Sequence, residues 1–184
     1  MTRAASTADA ARVTLAELLV SLSLAGLLFA AALGILEQGQ RAWAVGAARA
    51  ETQQAARVAL TRIVADIRGA GFGGAAFAAV AVAEPQRLVL QQDLDGDGAI
   101  ASAGERVTWR LAGSVLRRDA GGGAQPIVNG VRGLQLSYFD AAGAPTATPG
   151  DVRTVAVTLS VEPERAVRGA PVATVSTLVR LRNR

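Results

Sequence analysis

The chain has 184 residues, and its 19 basic residues against 15 acidic ones give a formal net charge of +4. It contains no Cys, so disulfides and thiolate chemistry are excluded, and no His, the commonest general base and transition-metal ligand. No Walker loop or nucleophile elbow is present, and the Gly-rich stretch GAGFGG follows a predicted helix instead of opening one. These absences predict a protein that is not an enzyme.

An apolar run covers residues 13–36, VTLAELLVSLSLAGLLFAAALGIL, and its only charged residue is Glu17. At about 1.5 Å of rise per residue, the uncharged stretch 18–36 nearly covers a hydrocarbon core of about 30 Å. The run therefore predicts a transmembrane helix. An ionised carboxylate inside such a helix is costly and usually has a partner or a function.

The string VTLAELLVSL resembles the N-terminal signature of type IV pilins and pseudopilins. In that family a prepilin peptidase removes a short leader and methylates the new N-terminus, and the hydrophobic segment is retained. The resemblance implies a leader at residues 1–12, cleavage between Arg12 and Val13, and N-methylation of Val13. It also implies an assembly role for Glu17, which would pair with the α-amino group of Val13 on a neighbouring subunit.

One position departs from the family pattern. Arg12 stands where the family prefers Gly, a small residue that lets the peptidase approach the backbone closely. The alternative from composition alone is an uncleaved signal anchor.

The apolar run continues without Pro into a stretch in which Ala56, Leu60, Ile63, Val64 and Ile67 recur at helical spacing. Glycines at positions 69, 71, 73 and 74 then predict the end of the helix. We therefore expect one helix over residues 13–68, whose second half has an apolar stripe that packs on a head domain at residues 69–184.

After the glycines, the apolar period changes from 3.6 to 2 residues, which is typical of strands. Candidate strands are residues 87–91, 106–111, 133–139, 153–161 and 174–182. Apolar and small polar residues alternate most clearly in the fourth strand, as in an antiparallel sheet with one covered face. The expected fold class is α+β, a long N-terminal helix packed on a C-terminal antiparallel sheet.

Three further strings narrow the resemblance: RVALTRIVADIRGAGFGG, RVTWRLAGSVLRRDAGGGAQPIVNGVRGLQLSYFD and the closing STLVRLRNR. They are similar to PilW-type minor pilins, with the J-type pseudopilin of type II secretion as the nearest rival. This resemblance implies a minor pilin that takes part in pilus assembly, with an inner-membrane anchor and a periplasmic head before it enters the filament. Its implied partners are other pilins, the prepilin peptidase and the inner-membrane assembly platform.

A third possibility is an adhesive pilin that binds DNA or surfaces through Arg180, Arg182 and Arg184. We expect instead that these arginines are ordinary solvent-facing charges, so nucleic acid is not an expected partner. All the basic residues are Arg, which we attribute to biased composition.

The loop QQDLDGDGAIASAGERVTW places Asp93, Asp95 and Asp97 at alternate positions before Gly98. This spacing matches the first half of an EF-hand-like calcium loop, and hard carboxylate oxygens suit calcium. Glu105 falls thirteenth instead of twelfth, and a strand follows it instead of a helix. The residues predict either a calcium site at Asp93, Asp95, Asp97 and, less clearly, Glu105, or a solvated hairpin loop.

Overall fold

The computed structural model describes residues 14–74, 76–165 and 167–183. The chain divides into two compact units, Met1–Trp43 and Ala44–Arg184. Within the described residues, the second unit contains the end of one long α-helix and eight strands. The predicted α+β class is confirmed.

The helix α1 comprises Leu15–Gly69, close to the predicted span. Beyond it, Gly71 and Gly73 take φ values of 79° and 94°, a left-handed backbone that glycine adopts without a steric penalty. Within the predicted stripe, Ala56, Ile63 and Ile67 are buried, while Leu60 and Val64 are partly buried. The stripe is therefore the face of the helix that packs on the head.

Five strands form an antiparallel meander in the order β1-β2-β3-β4-β5. They are β1 Val80–Glu84, β2 Arg87–Gln91, β3 Arg106–Ala112, β4 Val115–Asp119 and β5 Gln125–Val128. On the inner face, Leu88, Leu90, Val107, Trp109 and Leu116 belong to the hydrophobic core.

A second antiparallel sheet has the order β6-β7-β8. Its strands are β6 Val131–Phe139, β7 Thr154–Val161 and β8 Ala173–Arg180, and a short 3-10 helix, Pro149–Asp151, precedes β7. Every second residue of β7 is buried, as its alternating sequence predicts. The expected covered sheet is thus present, but the strands form two sheets.

A largely buried ion pair joins the helix to the five-stranded sheet. Arg118 donates from Nε and Nη2 to the Asp66 carboxylate at 2.7 and 3.1 Å, and Trp109 Nε1 donates to the same carboxylate at 2.8 Å. The Asp66 carboxylate raises the pKa of Arg118, chiefly through these hydrogen bonds. Removing either charge would leave the other buried and unpaired, so the pair fixes the position of the helix on the sheet.

Candidate functional site

The predicted cleavage site, Arg12 and Val13, lies outside the described residues. The helix start just after it is described, and there Thr14 and Glu17 exchange hydrogen bonds. The Glu17 amide donates to Thr14 Oγ1 at 3.2 Å, and the Thr14 amide donates to Glu17 Oε2 at 3.5 Å. This is the reciprocal pattern of a capping box, which satisfies two amide groups that the first helical turn leaves unpaired.

The capping box gives Glu17 a local partner that the sequence analysis overlooked. The signal was present, because Thr-x-x-Glu before an apolar run is the sequence pattern of this cap. The second carboxylate oxygen of Glu17 makes no hydrogen bond within the described part of the chain. Glu17 therefore combines a capping interaction with an exposed carboxylate that remains open to a cation, and its assembly role stays a prediction.

The first half of α1 exposes a continuous apolar surface. An 18-residue window of the helix has a mean hydropathy of 2.4 and is not buried at all. Its large exposed side chains are Leu15, Leu18, Leu19, Val20, Leu22, Leu24, Leu27, Leu28, Phe29, Leu33, Ile35 and Leu36. By length and composition this segment could cross a membrane, and an apolar patch of this size on a protein marks contact with lipid or another protein.

The acidic loop follows β2, and its first carboxylate is held by backbone groups. Asp93 is buried, and its two carboxylate oxygens accept hydrogen bonds from the amides of Gly96 at 2.7 Å and Gly98 at 3.0 Å. Its own amide donates to the Phe72 carbonyl at 2.8 Å. At Gly73, a Cβ atom would clash with Asp93 Cβ, so only glycine permits this approach. The loop that ends α1 therefore fixes the position of Asp93.

Asp95 and Asp97 lie on the exposed side of the same loop. The Ser102 hydroxyl donates to Asp95 Oδ2 at 2.8 Å and the Asp97 amide donates to Asp95 Oδ1 at 3.2 Å. These bonds lower the pKa of Asp95, with the Ser102 hydroxyl as the larger cause. Asp97 Oδ1 accepts from the Ala99 amide at 2.7 Å.

The three aspartates, but not Glu105, form one cluster. One oxygen from each of Asp93, Asp95 and Asp97 lies within 4.8 Å of the others. Oxygens bound to one calcium ion at about 2.4 Å lie at most about 4.8 Å apart, so this spacing is compatible with a shared ion. Glu105 is buried, and its oxygens accept from the amides of Leu94, Ala101 and Ser102 at 2.7 to 3.1 Å. It holds the loop closed, and the calcium site stays a prediction with three carboxylate ligands.

No family model matches the chain, and no curated protein is similar enough to it to count as a relative.

Proposed function

We propose that this chain is a pilin-like subunit that is anchored in the inner membrane by residues 13–36 and enters a type IV pilus as a minor pilin. The observation that carries the proposal is the exposed apolar half of α1, joined in one helix to a head of antiparallel sheets. The first supplies an anchor or a packing surface for neighbouring helices, and the second supplies a folded domain outside the lipid. The pilin-type N-terminal string adds the resemblance to the minor pilins.

The proposal gives Glu17 a role at the contact between subunits. Once residues 1–12 are removed, the α-amino group of Val13 and the exposed oxygen of Glu17 from adjacent subunits would neutralise each other in a medium without water. Processing at Arg12 is part of the proposal, because an uncleaved chain has no amine at this position.

Glu17→Gln and Glu17→Ala, produced together with a full set of pilus components, test this role. Gln serves in a capping box as Glu does, whereas Ala removes both the cap and the charge. We expect both variants to insert into membranes at least as well as the unchanged chain, because each loses a charge, and both to lose most of their incorporation into filaments. Incorporation of Glu17→Gln at the normal level would limit Glu17 to capping and contradict the pairing.

The same filaments are analysed by mass spectrometry of the N-terminus. A chain that begins at N-methylated Val13 agrees with the proposal, whereas an assembled chain that retains Met1 contradicts it. The J-type pseudopilin alternative is separated by crosslinking, because that protein would be captured with secretion components and not with pilus components.

A further inference from the structure

Strand β8 forms a long unpaired edge of the head. All eight of its residues pair with β7 in one continuous register, from Thr154 opposite Arg180 to Val161 opposite Ala173, without a bulge. It follows β7 at the end of its sheet, and no strand lies on its other side within the described residues. Edges of this kind pair readily with another chain, and proteins usually protect them with Pro, bulges or inward-facing charges.

The hydrogen bonds between β7 and β8 show which backbone groups of β8 point outward at the edge. The Leu181 amide donates to the Arg153 carbonyl at 2.9 Å, so odd-numbered residues of β8 direct their amide and carbonyl groups toward β7. Those of Thr174, Ser176, Leu178 and Arg180 therefore point away from the sheet. All four residues are exposed, and their backbone groups accept and donate no hydrogen bond in the part of the chain that the structure describes.

The other sheet edges of the head are protected. β5 contains Pro126, which has no amide hydrogen, and its pairing with β4 is irregular. β1 carries a bulge between Val80 and Val82. β6 donates from Leu136 to the Pro85 carbonyl at 2.9 Å, on the side away from β7. Among the described strands, β8 alone presents a regular and uncovered edge.

A groove of about 370 Å³ lies between the start of β8 and the helix. It is lined by Arg49, Gln53 and Arg57 of α1 and by residues 171–175 of the chain. Both arginines are exposed, and neither makes an ion pair or hydrogen bond with any described residue. Because the groove includes Ala173, Thr174 and Val175 of β8, a strand added to β8 would pass beside it, and every second side chain of that strand would lie on the same face.

The spacing of Arg49 and Arg57 indicates which extended peptide segment would match the groove. Arg49 and Arg57 are eight residues apart on a helix, which is about 12 Å, and four residues on an extended strand cover about 13 Å. Two carboxylates four residues apart on one face of a strand therefore match the arginine pair. A second copy of β8 cannot supply them, because Ala173–Arg180 contains no acidic residue.

We propose that β8 and the groove beside it bind an extended acidic segment of another protein. The segment adds to the three-stranded sheet as a fourth strand, hydrogen-bonded to the outward groups of Thr174, Ser176, Leu178 and Arg180. Its two carboxylates pair with Arg49 and Arg57. This inference goes beyond the proposed function and is independent of membrane anchoring or processing.

The test uses the full chain in a non-ionic detergent and a fluorescein-labelled peptide as long as β8, Val-Thr-Glu-Thr-Val-Thr-Glu-Thr, with binding measured by anisotropy. Ser176→Pro removes an outward amide without touching the ladder to β7, and we expect it to weaken binding at least tenfold. Ser176→Val keeps the amide and is the matched control, with an affinity within about twofold of the unchanged chain. Circular dichroism establishes that both variants are folded.

Charge reversal provides a second measurement that does not depend on the proline variant. Arg49→Glu with Arg57→Glu should weaken binding of the glutamate peptide at least tenfold and should create binding to the same peptide with Lys in place of Glu. Arg62→Glu, an exposed arginine of the same helix outside the groove, should change neither affinity.

Three results would overturn the proposal. The first is the absence of saturable binding up to about 1 mM, the range of the weakest specific contacts. The second is equal binding of the peptide with Gln in place of Glu, which would remove the acidic class of partner. The third is a dimer that forms without peptide and is lost in Ser176→Pro, because the edge would then be filled by a second copy.

Discussion

Tyr138 is the only tyrosine of the chain, and it ties β6 to the turn between β1 and β2. Its hydroxyl donates to the carbonyls of Glu84 at 2.7 Å and Arg87 at 3.3 Å. Burial raises the pKa of Tyr138, and the nearby Glu84 charge raises it further. The folded protein therefore holds the proton more tightly than the unfolded chain, whose tyrosine pKa is about 10.

This pKa shift predicts alkaline destabilisation. The stabilising contribution of Tyr138 is fully present below a pH of about 10 and is lost as the pH rises beyond it, because the unfolded chain then releases the proton first. The chain has no Lys or Cys, so no other side chain titrates between roughly pH 9 and pH 12. Tyr138→Phe should cost about 1 kcal/mol at neutral pH, through the lost hydrogen bond, and should abolish the alkaline decline.

The measurement is the free energy of unfolding in denaturant at several pH values from neutral to about pH 11.5, for both proteins in the same detergent. A decline of equal steepness in the Phe variant would show that Tyr138 is not its cause.

Glu17 illustrates what sequence can and cannot predict for a single residue. The sequence shows its charge within an apolar run, and the resemblance to pilins implies a distant partner on another subunit. The nearer partner, Thr14, follows from the Thr-x-x-Glu pattern, but the hydrogen bonds depend on where the helix begins, which the structure places at Leu15. The sequence thus shows that a charge in an apolar segment is costly, whereas the groups that pair with this charge depend on the three-dimensional structure.

At the scale of elements, the acidic loop allows a test of calcium. If Asp93, Asp95 and Asp97 bind the ion in the folded protein alone, a hundredfold excess over the dissociation constant stabilises the head by about 2.7 kcal/mol. We expect the melting temperature to be higher in calcium than in chelator, and Asp95→Asn with Asp97→Asn to abolish this difference. Asn keeps an oxygen that can accept the backbone hydrogen bonds of the loop.

Asp140→Asn is the matched control, because Asp140 also accepts hydrogen bonds from the amides of its own loop, those of Ala142 and Ala144, and lies outside the cluster. This variant should respond to calcium as the unchanged chain does. Equal melting temperatures in calcium and chelator for the unchanged chain would identify the loop as a solvated turn.

Strands whose apolar residues alternate or form a short continuous run were predictable from sequence, whereas strands that contain arginines facing the interior or a proline were not. β2 was predicted at its observed bounds because its central residues are all apolar. β7 was predicted to within one residue because apolar and polar residues alternate along it. β4 was missed because Arg118, which faces the interior, is satisfied by Asp66 on a distant helix. β5 was missed because Pro126 argues against a strand, although an edge position tolerates it.

For the molecule as a whole, the apolar half of α1 predicts that the full chain and the head without this half differ in solubility. The full chain should partition with membranes and require detergent, while residues 44–184 alone should be soluble and folded. The cut belongs before Ala44, because Ala48 is buried and its carbonyl accepts from the Thr52 hydroxyl at 2.7 Å. Cell fractionation followed by carbonate extraction measures the membrane partition of the full chain. Circular dichroism of the purified fragment measures whether residues 44–184 are folded. A fragment that aggregates beside a full chain that dissolves without detergent would contradict the anchor.

The side chain of Asn183 bears on when the head can fold during synthesis. Its amide nitrogen lies 3.1 to 3.4 Å from the carbonyl oxygens of Arg68, Gly69 and Ala70, across more than 110 residues of chain. The core also requires Val179 and Leu181 from the same late stretch. While these residues remain inside the ribosome, the helix end stays uncapped and the three-stranded sheet lacks a strand. The head therefore cannot complete its fold until the chain has left the ribosome as far as Asn183.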